Sequence, residues 1–156
     1  MSADFYLGNP NLKKVGTEIQ FTKEQIQEYL KCKEDPVYFA MNYIKIISLD
    51  EGIVPFKMWD FQQELIESFH ENRFNIAKLP RQTGKSTTCV SYLLHYILFN
   101  DNVNVGILAN KLSTARDLLG RLQLAYEQLP LWLQQGIVVY NKGSMELENG
   151  SKILAA

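Results

Sequence analysis

Cysteine is scarce: Cys32 and Cys89 are the only two in 156 residues, and neither has a second Cys or a His at metal-ligand spacing. A disulfide-rich scaffold and a Cys/His metal cluster are therefore excluded, and both thiols are expected to be buried and reduced. Long apolar runs are also lacking. No segment reaches the roughly 18 apolar residues of a membrane span, and the N-terminal MSADFYLGNPNLKK has no apolar signal core, so a cytoplasmic setting is expected. Nor is there an excess of charge: 16 Lys and Arg against 17 Asp and Glu leave −1, and any polyanion must be held by local patches. His70 and His95 stand without companions at ligand spacing and read as ordinary imidazoles.

What the chain does have is 46% hydrophobic residues, enough for one ordinary core. Residues 1–20 are turn-rich and expected to be poorly ordered unless they dock. Thr22-Lys23-Glu24-Gln25 is a capping box that opens a helix with Ile26, Tyr29 and Leu30 on one stripe. Asp35-Pro36 opens a second helix, with apolar positions from Val37 to Ile47, because Asp caps and Pro is preorganised for a first turn. A turn at Asp50-Glu51-Gly52 precedes a third helix, Trp59 to His70, so residues 1–55 read as an arm and a helical segment.

The period changes at Phe74. FNIAKL reads as a short strand ending at Pro80, Ser86 to Phe99 as a helix, and VNVGILA (103–109) as a strand covered on both faces. Leu112 to Leu129 is a further helix. Ile137-Val138-Val139-Tyr140 and Ser144 to Glu148 follow, and Asn149-Gly150 marks a hairpin into Ser151 to Leu154. Strand, loop, helix, strand, helix predicts an α/β fold with a parallel sheet and crossover helices over residues 56–156. Aromatic residues at helical spacing, such as Tyr38, Phe39, Tyr43 and Phe69, read as core.

Between the first expected strand and its helix lies Pro80-Arg81-Gln82-Thr83-Gly84-Lys85-Ser86-Thr87. A phosphate-binding loop needs backbone amides aimed at oxygen anions, a lysine ammonium beside the terminal phosphates and a hydroxyl on magnesium. Gly84 permits a close backbone approach, Lys85 brings the charge, and Ser86 opens a helix whose positive dipole end faces the anion. The loop departs from G-x-x-x-x-G-K-[ST] at its first position, where Leu79 replaces glycine. Arg81 is either a cation that stabilises charge on transferring phosphoryl oxygens or a plain exposed loop residue. Asn110, after the second strand, is either a phosphate or DNA sensor or a helix cap. Lys111, Arg116 and Arg121 are either part of a basic surface or solvated helix charges.

PRQTGKST resembles the deviant Walker A loop of the large terminase subunits of tailed bacteriophages, the ATPases that package DNA into the prohead. FKMWDFQ (56–62) is similar to that family's adenine-recognition segment, and VNVGILANKLSTARDLLGR and NKGSMELENGSKILAA extend the likeness over most of the chain beyond residue 20. Lys57 stands where some relatives carry a second glutamine. The resemblance implies a P-loop NTPase fold of the RecA or helicase-like kind, with ATP and Mg2+ as ligands. It makes Phe61 and Gln62 adenine contacts, Arg81 and Lys85 catalytic, and Ser86 the magnesium ligand, with Gln82, Thr83, Gly84 and Thr87 completing the nucleotide cradle. The implied partners are double-stranded DNA, the portal protein and the small terminase subunit, with a possible homo-oligomer on the portal and no membrane. The implied location is the cytoplasm of an infected bacterium, outside the mature virion.

After the loop, no run of four apolar residues ends in Asp-Glu, and no carboxylate cluster of a nuclease domain follows. The chain is therefore expected to be the N-terminal fragment of a longer terminase, ending before Walker B. Two other readings stay open: a fragment of a helicase-like DNA-dependent ATPase, and a nucleotide-binding assembly module without hydrolysis.

Overall fold

The computed structural model describes residues 5–156. Helix α1 (Lys23–Glu34) starts at the expected capping box, with Gln25 N–H donating to Thr22 Oγ1 and Thr22 N–H to Gln25 Oε1. It ends at Asp35, whose carboxylate accepts from the N–H groups of Val37 and Tyr38 and so starts α2 (Pro36–Tyr43). The second helix is shorter than its apolar run predicts. From Lys45 the chain turns into a hairpin, β1 (Lys45–Ser48) and β2 (Gly52–Pro55), with Ile46 opposite Val54. The β-branched residues Ile44, Ile46 and Ile47 suit a strand at least as well as a helix, and Gly52, at φ +76°, lets the chain reverse.

Helix α3 (Asp60–Glu71) follows as expected. The segment 74–79 is not a strand: Phe74 is 82% and Ile76 101% exposed, and no ladder forms there. Its polar residues bond locally instead, Ser68 Oγ donating to Asn75 Oδ1 at 2.7 Å and Asn75 Nδ2 to the Asn72 carbonyl at 2.9 Å. Such side-chain bonds compete with strand pairing, and strand pairing also needs a partner edge that a local apolar pattern cannot supply.

Beyond the loop run α4 (Lys85–Phe99), β3 (Asn104–Ile107), α5 (Leu112–Glu127), β4 (Ile137–Tyr140), β5 (Ser144–Leu147) and β6 (Lys152–Ala155). The sheet is not all-parallel as predicted. Its order is β3-β6-β5-β4, with β3 and β6 parallel and the other two pairs antiparallel. The molecule is thus a mixed α/β structure with five α-helices, a two-stranded sheet and a mixed four-stranded sheet among the described residues. The Asn149-Gly150 turn makes the expected β5–β6 hairpin, and Asn149 Nδ2 also donates to the Ile97 carbonyl at the end of α4. The crossover through α5 then sets β6 beside β3, but the hairpin reverses direction within the sheet.

Burial falls on one face of that sheet. Ile107, Ile137, Met145, Leu147 and Ile153 meet Leu94, Ile97 and Leu98 of α4 and Leu119, Leu122 and Tyr126 of α5 in one cluster, which also takes in Cys32, Phe39 and Ile44 from the N-terminal helices. Within β3, Asn104 and Gly106 are exposed while Ile107 on the other face is buried, so β3 is covered on one face and not on both. Each fully buried Leu or Ile contributes about 1.5–3 kcal/mol by leaving water.

The N-terminal arm docks. Leu12 and Lys13 are buried, and Ile137 N–H donates to the Lys13 carbonyl. Gln134 Oε1 accepts from Lys13 N–H, and its amide nitrogen donates to the carbonyls of Asn11, Tyr126 and Leu129. Glu148 fixes the next turn, accepting from Gly16 N–H and Gly136 N–H and pairing with Lys13 at 3.7 Å. Desolvation alone would raise the Glu148 pKa, but these donors and the ammonium outweigh it and hold the carboxyl below its usual value. Residues 1–4, the start of the arm that is expected to be poorly ordered unless it docks, lie outside the described residues.

Candidate functional site

The loop between Pro80 and α4 is shaped by two left-handed residues. Gln82 has φ 60° and Gly84 φ 72°, and Gly84 is the N-cap of α4 without a side-chain cap. A Cβ on Gly84 would lie 2.5 Å from Gln62 Nε2, so glycine is required both by torsion and by space. The Pro80 carbonyl closes the turn, accepting from Thr83 Oγ1 at 3.0 Å and from Lys85 Nζ at 3.1 Å. On the helix side the Gly84 carbonyl accepts from Thr88 N–H and from Thr88 Oγ1. Gly84, Lys85, Ser86 and Thr87 have backbone N–H groups with no acceptor among the described residues. Four unpaired donors at the positive end of a 15-residue helix, beside an ammonium, make a local field suited to an anion.

Lys85 and Ser86 line a cleft of about 380 Å³ between α4 and β3, walled by Leu65, Ala77, Ile107 and Leu108. Cys89 lies in the same cleft, one turn after Ser86 on the same helix face, a neighbour the i, i+3 spacing could have revealed. It is half-buried, not buried as expected, and burial pushes its thiol pKa up, so it is a weak nucleophile. Cys32 is fully buried, as expected, and its thiol is pushed up to about 12, chiefly by desolvation.

The other sequence-derived site residues divide. Gln62 comes to the loop: it is 3% exposed, its Oε1 accepts from Trp59 N–H at 3.0 Å, and its Nε2 donates to the Thr83 carbonyl at 3.3 Å. Phe61 sits at the same helix start, half-buried, its ring 5.7 Å from the exposed Trp59 ring. Arg81 and Gln82 are exposed, and Arg81 has no hydrogen bond or ion pair among the described residues. Ser86 and Thr87 are half-buried in the first turn of α4. Asn110 does not cap α5, since the N-cap is Lys111, without a side-chain cap bond. Arg116, Arg121 and Lys142 line a separate open groove along α5. Pro80 was missed by sequence reasoning, because a backbone carbonyl that takes two donors leaves no residue-type signal.

A magnesium ion would find one suitable protein ligand in the loop, the Ser86 hydroxyl, which has no hydrogen bond among the described residues. No group of three or more His, Cys, Asp and Glu among those residues could hold a metal ion, so the remaining oxygens would come from the bound phosphates and water. No helix among them is long and apolar enough to cross a membrane. No known protein-family model matches the chain.

Proposed function

We propose that this chain is the ATP-binding part of a motor ATPase that couples ATP hydrolysis to translocation of double-stranded DNA, as in viral genome packaging. One observation carries the reading: the unpaired amides of Gly84 to Thr87 open α4 in the same turn that carries Lys85, whose ammonium rests on the Pro80 carbonyl of the loop. This combination of donors and charge fits a polyphosphate chain better than a carboxylate or a neutral ligand. Lys85, now on the Pro80 carbonyl, would exchange that neutral acceptor for β- and γ-phosphate oxygens, a stronger charge-assisted bond. Ser86 would hold magnesium, which when bound neutralises phosphate charge. The free Arg81 side chain is available for the γ-phosphoryl oxygens, and the Trp59–Phe61 pair offers an aromatic face to the base.

Double-stranded DNA, the portal protein and the small terminase subunit enter this proposal through the resemblance of the loop and its flanking segments. Titration calorimetry with ATP and Mg2+ tests it. The wild type should bind and Lys85→Ala should not, and a phosphate-release assay then separates a hydrolase from a binding module. Equal affinity in both proteins would remove the phosphate-loop assignment.

A further inference from the structure

Gln62 belongs to α3, yet both ends of its amide are committed to the protein. Its oxygen closes the start of α3 on Trp59 N–H, and its nitrogen holds the carbonyl of Thr83, the residue before Gly84. In a planar trans peptide the C=O and the following N–H point in opposite directions. Fixing the Thr83 carbonyl toward Gln62 therefore turns the Gly84 N–H away from α3, as the first of the unpaired donors. The fit is tight, since Gly84 leaves only the space that Gln62 Nε2 fills. At 3% exposure Gln62 has almost no surface to present to a base, and swinging its amide outward would give up both of these bonds.

We infer that Gln62 is a positioning residue that sets the orientation of the anion-binding amides, rather than the reader of the nucleotide base. The inference rests on the phosphate-loop reading above. It makes the start of α3, with the exposed Trp59 beside it, the element through which events outside the loop reach the phosphate site. A strut of this kind acts on all phosphate chains alike, whereas a base-reading glutamine acts only on the purine edge.

Two variants of the full chain separate the roles. Gln62→Leu removes both bonds. Gln62→Glu keeps the acceptor for Trp59 N–H, and so the helix start, while placing a carboxylate oxygen against the Thr83 carbonyl. Mg2+-ATP, Mg2+-GTP and Mg2+-tripolyphosphate are titrated into each. Both variants should weaken all three by a common factor of about five to ten, set by the bond to the Thr83 carbonyl that both lose, with the ATP to GTP ratio unchanged. Undiminished tripolyphosphate binding together with a collapsed ATP to GTP ratio would overturn the inference. Without ligand, 15N relaxation should show lower order at Thr83, Gly84 and Lys85 in Gln62→Glu, with α5 unchanged. Unaltered order at these residues would also overturn it. If the wild type binds none of the three probes, the phosphate reading falls, while the relaxation measurement still decides the strut.

Discussion

Acidification should destabilise this protein through His95, and the reason lies in a missing backbone donor. The Cys32 carbonyl, near the end of α1, would receive its helical bond from the N–H four residues on, but that residue is Pro36, which has none. His95 Nε2 supplies the donor at 2.8 Å. The neutral ring must therefore carry its proton on Nε2, which leaves Nδ1 as a bare acceptor, buried and without a partner. The ring is 2% exposed, packed by Phe39 at 5.5 Å and Phe99 at 4.8 Å, and His70 lies 6.1 Å away. Desolvation, with a smaller contribution from His70, lowers its pKa from 6.5 to about 4, against the opposing pull of the Cys32 carbonyl.

Because the folded state resists the proton, the unfolded chain binds more protons between those values, and stability rises with pH there. The contribution is complete above pH 6.5, shrinks as pH falls through the unfolded value, and levels off below about 4. Linkage over this window gives a loss of about 2 kcal/mol between pH 7.5 and 5, or about 4–8 °C in Tm for a chain of this size. Urea unfolding of the wild type and of His95→Gln at the two pH values checks it. The variant should be less stable at pH 7.5 but should lose little more on acidification. An equal loss in both proteins would refute the assignment to His95.

Gly84→Ala should abolish polyphosphate binding in the same calorimetric assay, since the added methyl meets Gln62 Nε2 at 2.5 Å in a backbone conformation that L-residues rarely adopt. Glu148→Ala should cost about 1–3 kcal/mol in urea unfolding, because it leaves the buried Gly136 N–H without its acceptor. The same change should free residues 5–16 for proteolysis, and in the wild type the Glu148 contribution should persist above pH 4.5 and fade as pH drops below it. In the native protein Cys32 should resist alkylation entirely while Cys89 reacts slowly, and mass spectrometry of the labelled peptides distinguishes the two.

Helix starts were legible because their signals are local. The Thr22 capping box, Asp35-Pro36 and the amphipathic run after Trp59 each act within one turn, and all three helices begin within a residue of where those signals put them. The Asn149-Gly150 hairpin was equally plain. Strand partners were not. The segment 74–79 has strand-like composition and no ladder, the β1–β2 hairpin was hidden in an apolar run with helical spacing, and the sheet mixes directions. Each of these depends on which edges meet in space, and that is set by long-range packing.

At the site, residue types gave Gly84, Lys85 and Ser86 their candidacy, since a charge, a hydroxyl and a permissive backbone are properties of side chains or their absence. Tertiary structure alone decided that Gln62 reaches the Thr83 carbonyl, that Pro80 takes two donors, and that Arg81 stands free. It also decided that His95 completes a helix 63 residues away. Those are matters of backbone carbonyls and distance, and a carbonyl has the same letter code whether it is free or bound.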